Sequence, residues 1–193
     1  MTDKEQQWVA EDGMDLLGRQ NSGSADTAEK QRLLVVGNGM VGHHFVEQLV
    51  AAGGLERFDV TVFGAEPDAA YDRVHLSEVF GGKAPQALRM ADPAWYEESG
   101  IALRLGAEVE VLDRATRTLT LANGEQFPYD RLVLATGSVP FVPPIPGHQR
   151  EGCFVYRTLG DLAAIRDACA QARSGVVIGG GLLGLEAANA LRL

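Results

Sequence analysis

The chain has 193 residues, 46% of them hydrophobic and 22% charged, with a formal net charge of -9 at pH 7. These are the proportions of a folded domain with a sizeable core, and the acidic balance, with no lysine and arginine cluster, excludes a phosphate-backbone footprint for nucleic acid. Apolar runs too short or too rich in glycine and proline to span a bilayer, and a polar start that lacks the form of a secretory signal, predict a cytoplasmic protein with no membrane partner.

Residues 1–30, ending in "GRQNSGSADTAEKQ", read as a flexible leader. "RLLVVG", from Arg32, is an apolar strand without strict alternation, as a parallel strand covered on both faces would be. "MVGHHFVEQLVAAGG" follows with Val41, Phe45, Val46, Leu49 and Val50 at helical spacing and stops at paired glycines. "FDVTVFG" supplies a second strand and completes a β-α-β unit. "DPAWYEESG" predicts a short helix with Asp92 as N-cap and Pro93 at its first position.

"IALRLG", "AEVEVLD" and "RTLTLANGEQFPYD" read as a meander of short strands, with a hairpin turn at Asn123 and Gly124. "RLVLATG" is again an apolar strand, which the four prolines of "SVPFVPPIPG" cannot continue. "TLGDLAAIRDACAQAR" predicts an amphipathic helix, and "SGVVIGG" a returning buried strand. Two β-α-β regions flanking a meander indicate an α/β fold.

Gly37, Gly39 and Gly42 form G-x-G-x-x-G between the first strand and the first helix. The first glycine permits the tight turn, the second lets backbone approach a pyrophosphate, and the third lets helix and strand pack closely. Amides at the helix start then face the ligand's negative charge. Strand, turn, helix and second strand in that order predict a dinucleotide site, without choosing between FAD and NAD. Glu66, 24 residues beyond Gly42, is the candidate acid for a ribose hydroxyl, with a solvated loop carboxylate as the alternative. Arg73 could pair with a pyrophosphate or stabilise a reduced flavin; a surface arginine fits the pattern nearly as well.

His75 reads as a satisfied structural histidine, with a group that titrates near neutrality and reaches a flavin or partner as the alternative. No spacing recommends His43 and His44 as metal ligands, and no metal site is expected. Cys153 and Cys169, the only cysteines, form no close pair and are expected to be inert packing thiols.

"YDRVHLSEVF", "RLVLATGSVPFVPPIPG" and the glycine fingerprints together resemble the FAD- and NAD(P)H-dependent pyridine nucleotide-disulfide oxidoreductase superfamily. Within it the sequence looks more like the N-terminal flavoprotein part of assimilatory nitrite reductase large subunits, from Arg32 to Leu193. The resemblance implies a Rossmann-like three-layer FAD-binding fold with a β-meander, over a partial FAD domain at 31–172. It further implies the truncated opening of an NAD(P)H-binding Rossmann unit at 173–193.

By the same resemblance, Gly37, Gly39 and Gly42 meet the FAD pyrophosphate, Glu66 the adenosine ribose, and Arg73 the loop beside FAD. Val109 matches a backbone contact to adenine, and Ala135, Thr136 and Gly137 the "ATG" segment closing over the cofactor. Gly179, Gly181 and Gly184 match the nicotinamide nucleotide turn, and Glu186 a residue near the nicotinamide, or a first-turn carboxylate that favours the helix dipole. Related ferredoxin reductases carry "DRPPLSK" where this chain has "DRVHLSE", so Glu78 stands at their lysine. No dithiol pair is present.

The implied activity is hydride transfer from NAD(P)H to FAD and electron delivery toward nitrite, through iron-sulfur and siroheme domains lying downstream or in a complementing chain. A ferredoxin-reductase-like electron donor and a non-catalytic cofactor-binding remnant are the alternatives. The catalytic residues are not assigned. A body missing from both cofactor domains predicts incomplete turnover by this chain alone.

Overall fold

A central parallel strand organises the molecule, whose computed structural model describes residues 29–192. Strand β1 (Gln31–Val36) turns Leu33 and Val35 to one face and Leu34 and Val36 to the other, and both pairs are buried in separate apolar clusters. Side chains alternate across a strand, so an unbroken apolar run needs cover on both faces.

Helix α1 (Met40–Ala51) and the short helix α2 (Pro93–Glu98) cover one face. Val46 and Tyr96 pack there against Leu33, Val35, Val60, Val62 and Ile101. Asp92 caps α2 as expected, its carboxylate accepting from the Ala94 amide at 3.0 Å. Strand β2 (Phe58–Gly64) and strand β3 (Ala102–Leu105) extend the parallel sheet. The expectation that "IALRLG" opens the meander is therefore corrected. Its first residue, Ile101, packs under α2 and β3 pairs with β2, because the segment is apolar enough to serve a two-sided sheet.

The meander consists of β4 (Val109–Asp113), β5 (Thr118–Leu121) and β6 (Gln126–Pro128). Its hairpin turns at Asn123 and Gly124, where the positive φ of 86° suits glycine. The Asn123 side chain accepts from the Glu125 amide at 2.9 Å. Leu119 and Leu121 press on Leu34, Val36 and Phe63 and make the third layer. Strand β7 (Arg131–Leu134) returns beside β1, so the parallel sheet runs β3-β2-β1-β7. Three layers, helices, parallel sheet and antiparallel meander, bear out the expected α/β architecture.

Helix α3 (Leu159–Cys169) begins with a capping box. Thr158 Oγ1 accepts from the Asp161 amide at 3.0 Å, and the Asp161 carboxylate accepts from the Thr158 amide at 2.8 Å. Cys153 and Cys169 are exposed and free, contrary to the expectation of packed thiols; the irregular turns that follow the proline-rich stretch and the last turn of α3 leave both at the surface.

"SGVVIGG" forms no strand, a second correction. Its residues join no ladder, and Val176 and Ile178 are 87% and 73% exposed. A strand exists only through partners for its amides and carbonyls, and none lies beside this segment among the described residues. Helix α4 (Leu182–Ala190) follows it with Leu182, Leu183 and Leu185 exposed. The leader, but for residues 29 and 30, lies outside the described residues. No described helix is long and apolar enough to cross a membrane.

Candidate cofactor site

The first glycine fingerprint occupies the end of β1, and its three glycines meet three different demands. Gly37 has a φ of 109°, and a Cβ there would lie 2.2 Å from the Ala135 carbonyl oxygen. A Cβ at Gly42 would lie 1.9 Å from the Gly37 oxygen, so only glycine lets α1 approach the turn. At Gly39 a Cβ would meet nothing within 4 Å. That open place, at the N-cap of a twelve-residue helix with no side-chain cap, is where backbone amides are left to an anionic ligand.

Strand β7 brings Ala135 to this turn, its amide donating to the Val36 carbonyl at 2.7 Å. Thr136 and Gly137 follow, exposed, with Gly137 at φ 72° beside the Arg157 guanidinium. Sequence separation gives no hint that 37 and 135 meet; the order of strands in the sheet does that.

Glu66 lies two residues past β2 and is half-buried rather than a solvated loop carboxylate. It accepts from the Arg73 guanidinium and, at 2.6 Å, from the Tyr71 hydroxyl. Arg73 also donates to the Arg157 carbonyl at 3.2 Å and stacks over the Tyr71 ring, 4.8 Å from its centroid. The Leu159 amide, at the start of α3, donates to the Tyr71 hydroxyl at 3.3 Å. Burial, then the hydrogen bond to Glu66, raises the Tyr71 pKa far above its ordinary value, so the hydroxyl stays protonated as a donor. Tyr71, unassigned from the sequence, thus joins Glu66 to α3, and the "AYDR" string that holds it was its only signal.

Val109 opens β4 at a register irregularity and is half-buried against the meander cluster. His75 and Asp72 form an exposed pair at 2.6 Å, which raises the histidine pKa and lowers the carboxylate's. Glu78 pairs with Lys83 at 2.6 Å. No cluster of three potential metal ligands occurs among the described residues.

The second fingerprint repeats the first in local geometry. Gly179 has a φ of 132°, and a Cβ at Gly184 would lie 2.0 Å from the Gly179 oxygen. Gly181 is the extended N-cap of α4, and a Cβ there meets nothing within 4 Å. Glu186 lies beyond the first turn of α4, so the alternative of a first-turn carboxylate is set aside. It accepts instead from the Ser77 hydroxyl at 3.3 Å, linking the loop after β2 to the second turn.

The pyridine nucleotide-disulphide oxidoreductase family model matches residues 31–193. The nitrite reductase [NAD(P)H] large subunit of Klebsiella oxytoca is 54% identical over 163 residues, covering 84% of this chain and 17% of that protein. The nitrite reductase (NADH) large subunit of Escherichia coli is 45% identical over 163 residues, with 84% and 19% covered. The chain therefore spans less than one fifth of the length of these relatives. Among solved structures, the covalent putidaredoxin reductase-putidaredoxin complex superposes with a TM-score of 0.72 at 31% identity, over 84% of this chain and 40% of that one. The three-layer fold, the glycine turn seated against Ala135 and these likenesses agree: the chain belongs to the pyridine nucleotide-disulphide oxidoreductase family.

Proposed function

We propose that residues 31–172 bind FAD and residues 173–193 open a nicotinamide nucleotide-binding unit, in a flavoprotein that passes electrons from NAD(P)H toward nitrite. The identity with the Klebsiella oxytoca nitrite reductase large subunit carries the choice of pathway. The open backbone at Gly39, where a Cβ would meet nothing, fits the pyrophosphate that the FAD reading requires. Bound flavin supplies hydride acceptance and the step from two-electron to one-electron transfer.

The chain's own residues bind and orient. Gly37, Gly39 and Gly42 present amides to the pyrophosphate. Glu66 accepts from a ribose hydroxyl while Arg73 and Tyr71 hold its carboxylate in place. The Val109 backbone reads the adenine, and Ala135, Thr136 and Gly137 close over the cofactor. Gly179, Gly181 and Gly184 would serve the nicotinamide nucleotide in the same way, with Glu186, restrained by Ser77, near the nicotinamide. In the complete protein, iron-sulfur and siroheme centres on downstream domains or a complementing chain would take these electrons onward, in the cytoplasm.

A second reading, delivery to a small ferredoxin-type carrier, is supported by the likeness to the putidaredoxin reductase complex. Reconstitution with FAD followed by anaerobic mixing with NADH and NADPH tests the cofactor chemistry that both readings share. Flavin absorbance retained after desalting supports the site, and its loss overturns it. Bleaching by either nucleotide supports hydride transfer; bound flavin that neither nucleotide bleaches indicates a non-catalytic remnant.

A further inference from the structure

Behind the first glycine turn, three buried side chains form a hydrogen-bonded chain with no part in the cofactor contacts assigned above. Asn38, His43 and Tyr96 are 9%, 3% and 1% exposed. Asn38 sits between the first two glycines, His43 on the first turn of α1, and Tyr96 on α2. The Tyr96 hydroxyl donates to Asn38 Oδ1 at 2.9 Å and lies 2.7 Å from His43 Nδ1. One hydroxyl carries one proton, so in this arrangement His43 Nδ1 is the donor to Tyr96.

Turning the Asn38 amide over would reverse the chain: Nδ2 would donate to Tyr96, and Tyr96 to His43. Either polarity ties all three groups together and leaves one amide atom over. As placed it is Nδ2, buried with no partner among the described residues. Trp95 closes the surroundings, edge-on to His43 at 5.4 Å and to Tyr96 at 5.0 Å between ring centroids. On the other side, a Cβ at Gly64 would come within 3.1 Å of Asn38 Cβ, so the asparagine is wedged between the end of β2 and α2.

An apolar residue at position 38 would leave no buried amide half-paired, so the polar chain brings orientation rather than simple packing. We propose that Tyr96, steadied by His43, is a positioning residue for the pyrophosphate turn. By gripping Asn38 it holds the two peptide units that flank that residue, and with them the amides that Gly39 and the start of α1 offer to an anionic ligand. The ligand part of this inference rests on the FAD reading; the effect on the turn does not.

Tyr96→Phe keeps the ring that fills the core and removes only the hydroxyl. Two amides bracket the turn in hydrogen bonds, Gly37 to the Phe63 carbonyl at 2.8 Å and His43 to the Gly39 carbonyl at 2.9 Å. In the ligand-free 193-residue chain, Tyr96→Phe should speed hydrogen exchange at both about tenfold beyond whatever change global opening brings at Val35. FAD binding, followed by quenching of flavin fluorescence, should weaken about tenfold. In an Asn38→Ala background the same change should alter neither quantity more than about twofold, because the group it acts through is gone.

Unchanged exchange and affinity in Tyr96→Phe overturn the proposal. So does a full effect in the Asn38→Ala background, which would mark Tyr96 as acting through packing. If Tyr96→Phe does not fold, His43→Leu gives the same reading, with about a threefold effect that vanishes in Asn38→Ala. A wild-type chain that binds no FAD, yet shows the exchange effect and its dependence on Asn38, sinks the FAD reading and leaves the positioning role intact.

Discussion

The two glycine turns have nearly the same local geometry and opposite surroundings. In each, the third glycine would drive a Cβ to about 2 Å from the carbonyl oxygen of the first, and the second glycine is left open. The first turn, however, ends a strand flanked by ladders on both sides and seats its leading glycine against Ala135. The second follows a segment in no ladder, and a Cβ at Gly179 would meet nothing within 4 Å. The difference separates two sources of order: residue type shapes a turn locally, whereas a sheet decides whether that turn becomes a rigid platform.

The contrast should be widest in hydrogen exchange. Amides of Leu34 and Val35 should exchange only through global opening, while those of 176–178 should exchange on the order of a thousandfold faster or more. Comparable protection in the two segments would erase the distinction. Next in size, Gly42→Ala should cost about 3 kcal/mol in denaturant unfolding, because the new methyl meets backbone that the sheet holds in place. Gly184→Ala introduces the same local clash where no strand ladder confines the turn, and gains helix propensity within α4. Its cost should stay below about 1 kcal/mol. Equal losses would show the second turn to be as confined as the first.

The loop after β2 tests whether anchorage extends beyond the first turn. Glu66→Gln removes the charge from a half-buried pair and should cost about 1–2 kcal/mol, between the values for exposed and buried ion pairs. A change near zero would show that Arg73 and Tyr71 do not depend on the carboxylate.

The smallest effect concerns the Arg32–Asp130 clasp, which ties the start of β1 to the start of β7. Hydrogen bonds from the Arg32 side chain, then from its backbone amide, hold the Asp130 pKa down to about 2 from an ordinary value of 3.8. A carboxyl whose folded pKa lies below its unfolded one binds more protons when unfolded. Its stabilisation is therefore present above the unfolded value and lost as pH falls through the folded one. Unfolding followed from pH 5 to pH 2 should show this loss, and Asp130→Asn should flatten that part of the profile. An unchanged acid limb in the variant would show that other carboxyls carry it.

Much of the fold was legible because it is written in short-range patterns. The apolar run of β1, the helical spacing of α1, the Asp92 cap and the Asn123-Gly124 hairpin each reflect constraints within a few residues. "SGVVIGG" carries the same kind of pattern and still forms no strand, since a pattern can specify a capacity for pairing but not the partner. "IALRLG" illustrates the complement: its strand character was plain, yet only the contact with β2 distinguishes a parallel neighbour from a meander strand.

The candidate site divides along the same line. Gly37, Gly39 and Gly42 are readable from spacing because the backbone conformation they permit is local. Tyr71 and the Asn38–Tyr96–His43 chain were not, because tyrosine and histidine in apolar surroundings look like ordinary core residues until their hydroxyl and imidazole meet. The exposed cysteines went astray for a related reason. Residue preference favours burial, but the irregular stretch and the helix end that carry them pack against too little to achieve it.

By itself, the sequence determined which segments could extend, coil or turn tightly, and it placed glycine wherever a Cβ would strike backbone. Tertiary structure alone decided that Gly37 meets Ala135, that Glu66 is held by Arg73 and Tyr71, and that one glycine turn stands on a sheet while its twin does not. The physical reason is range. Backbone sterics and capping act over a few residues, whereas ladders, ion pairs and buried hydrogen-bond chains need partners that only the folded chain brings together.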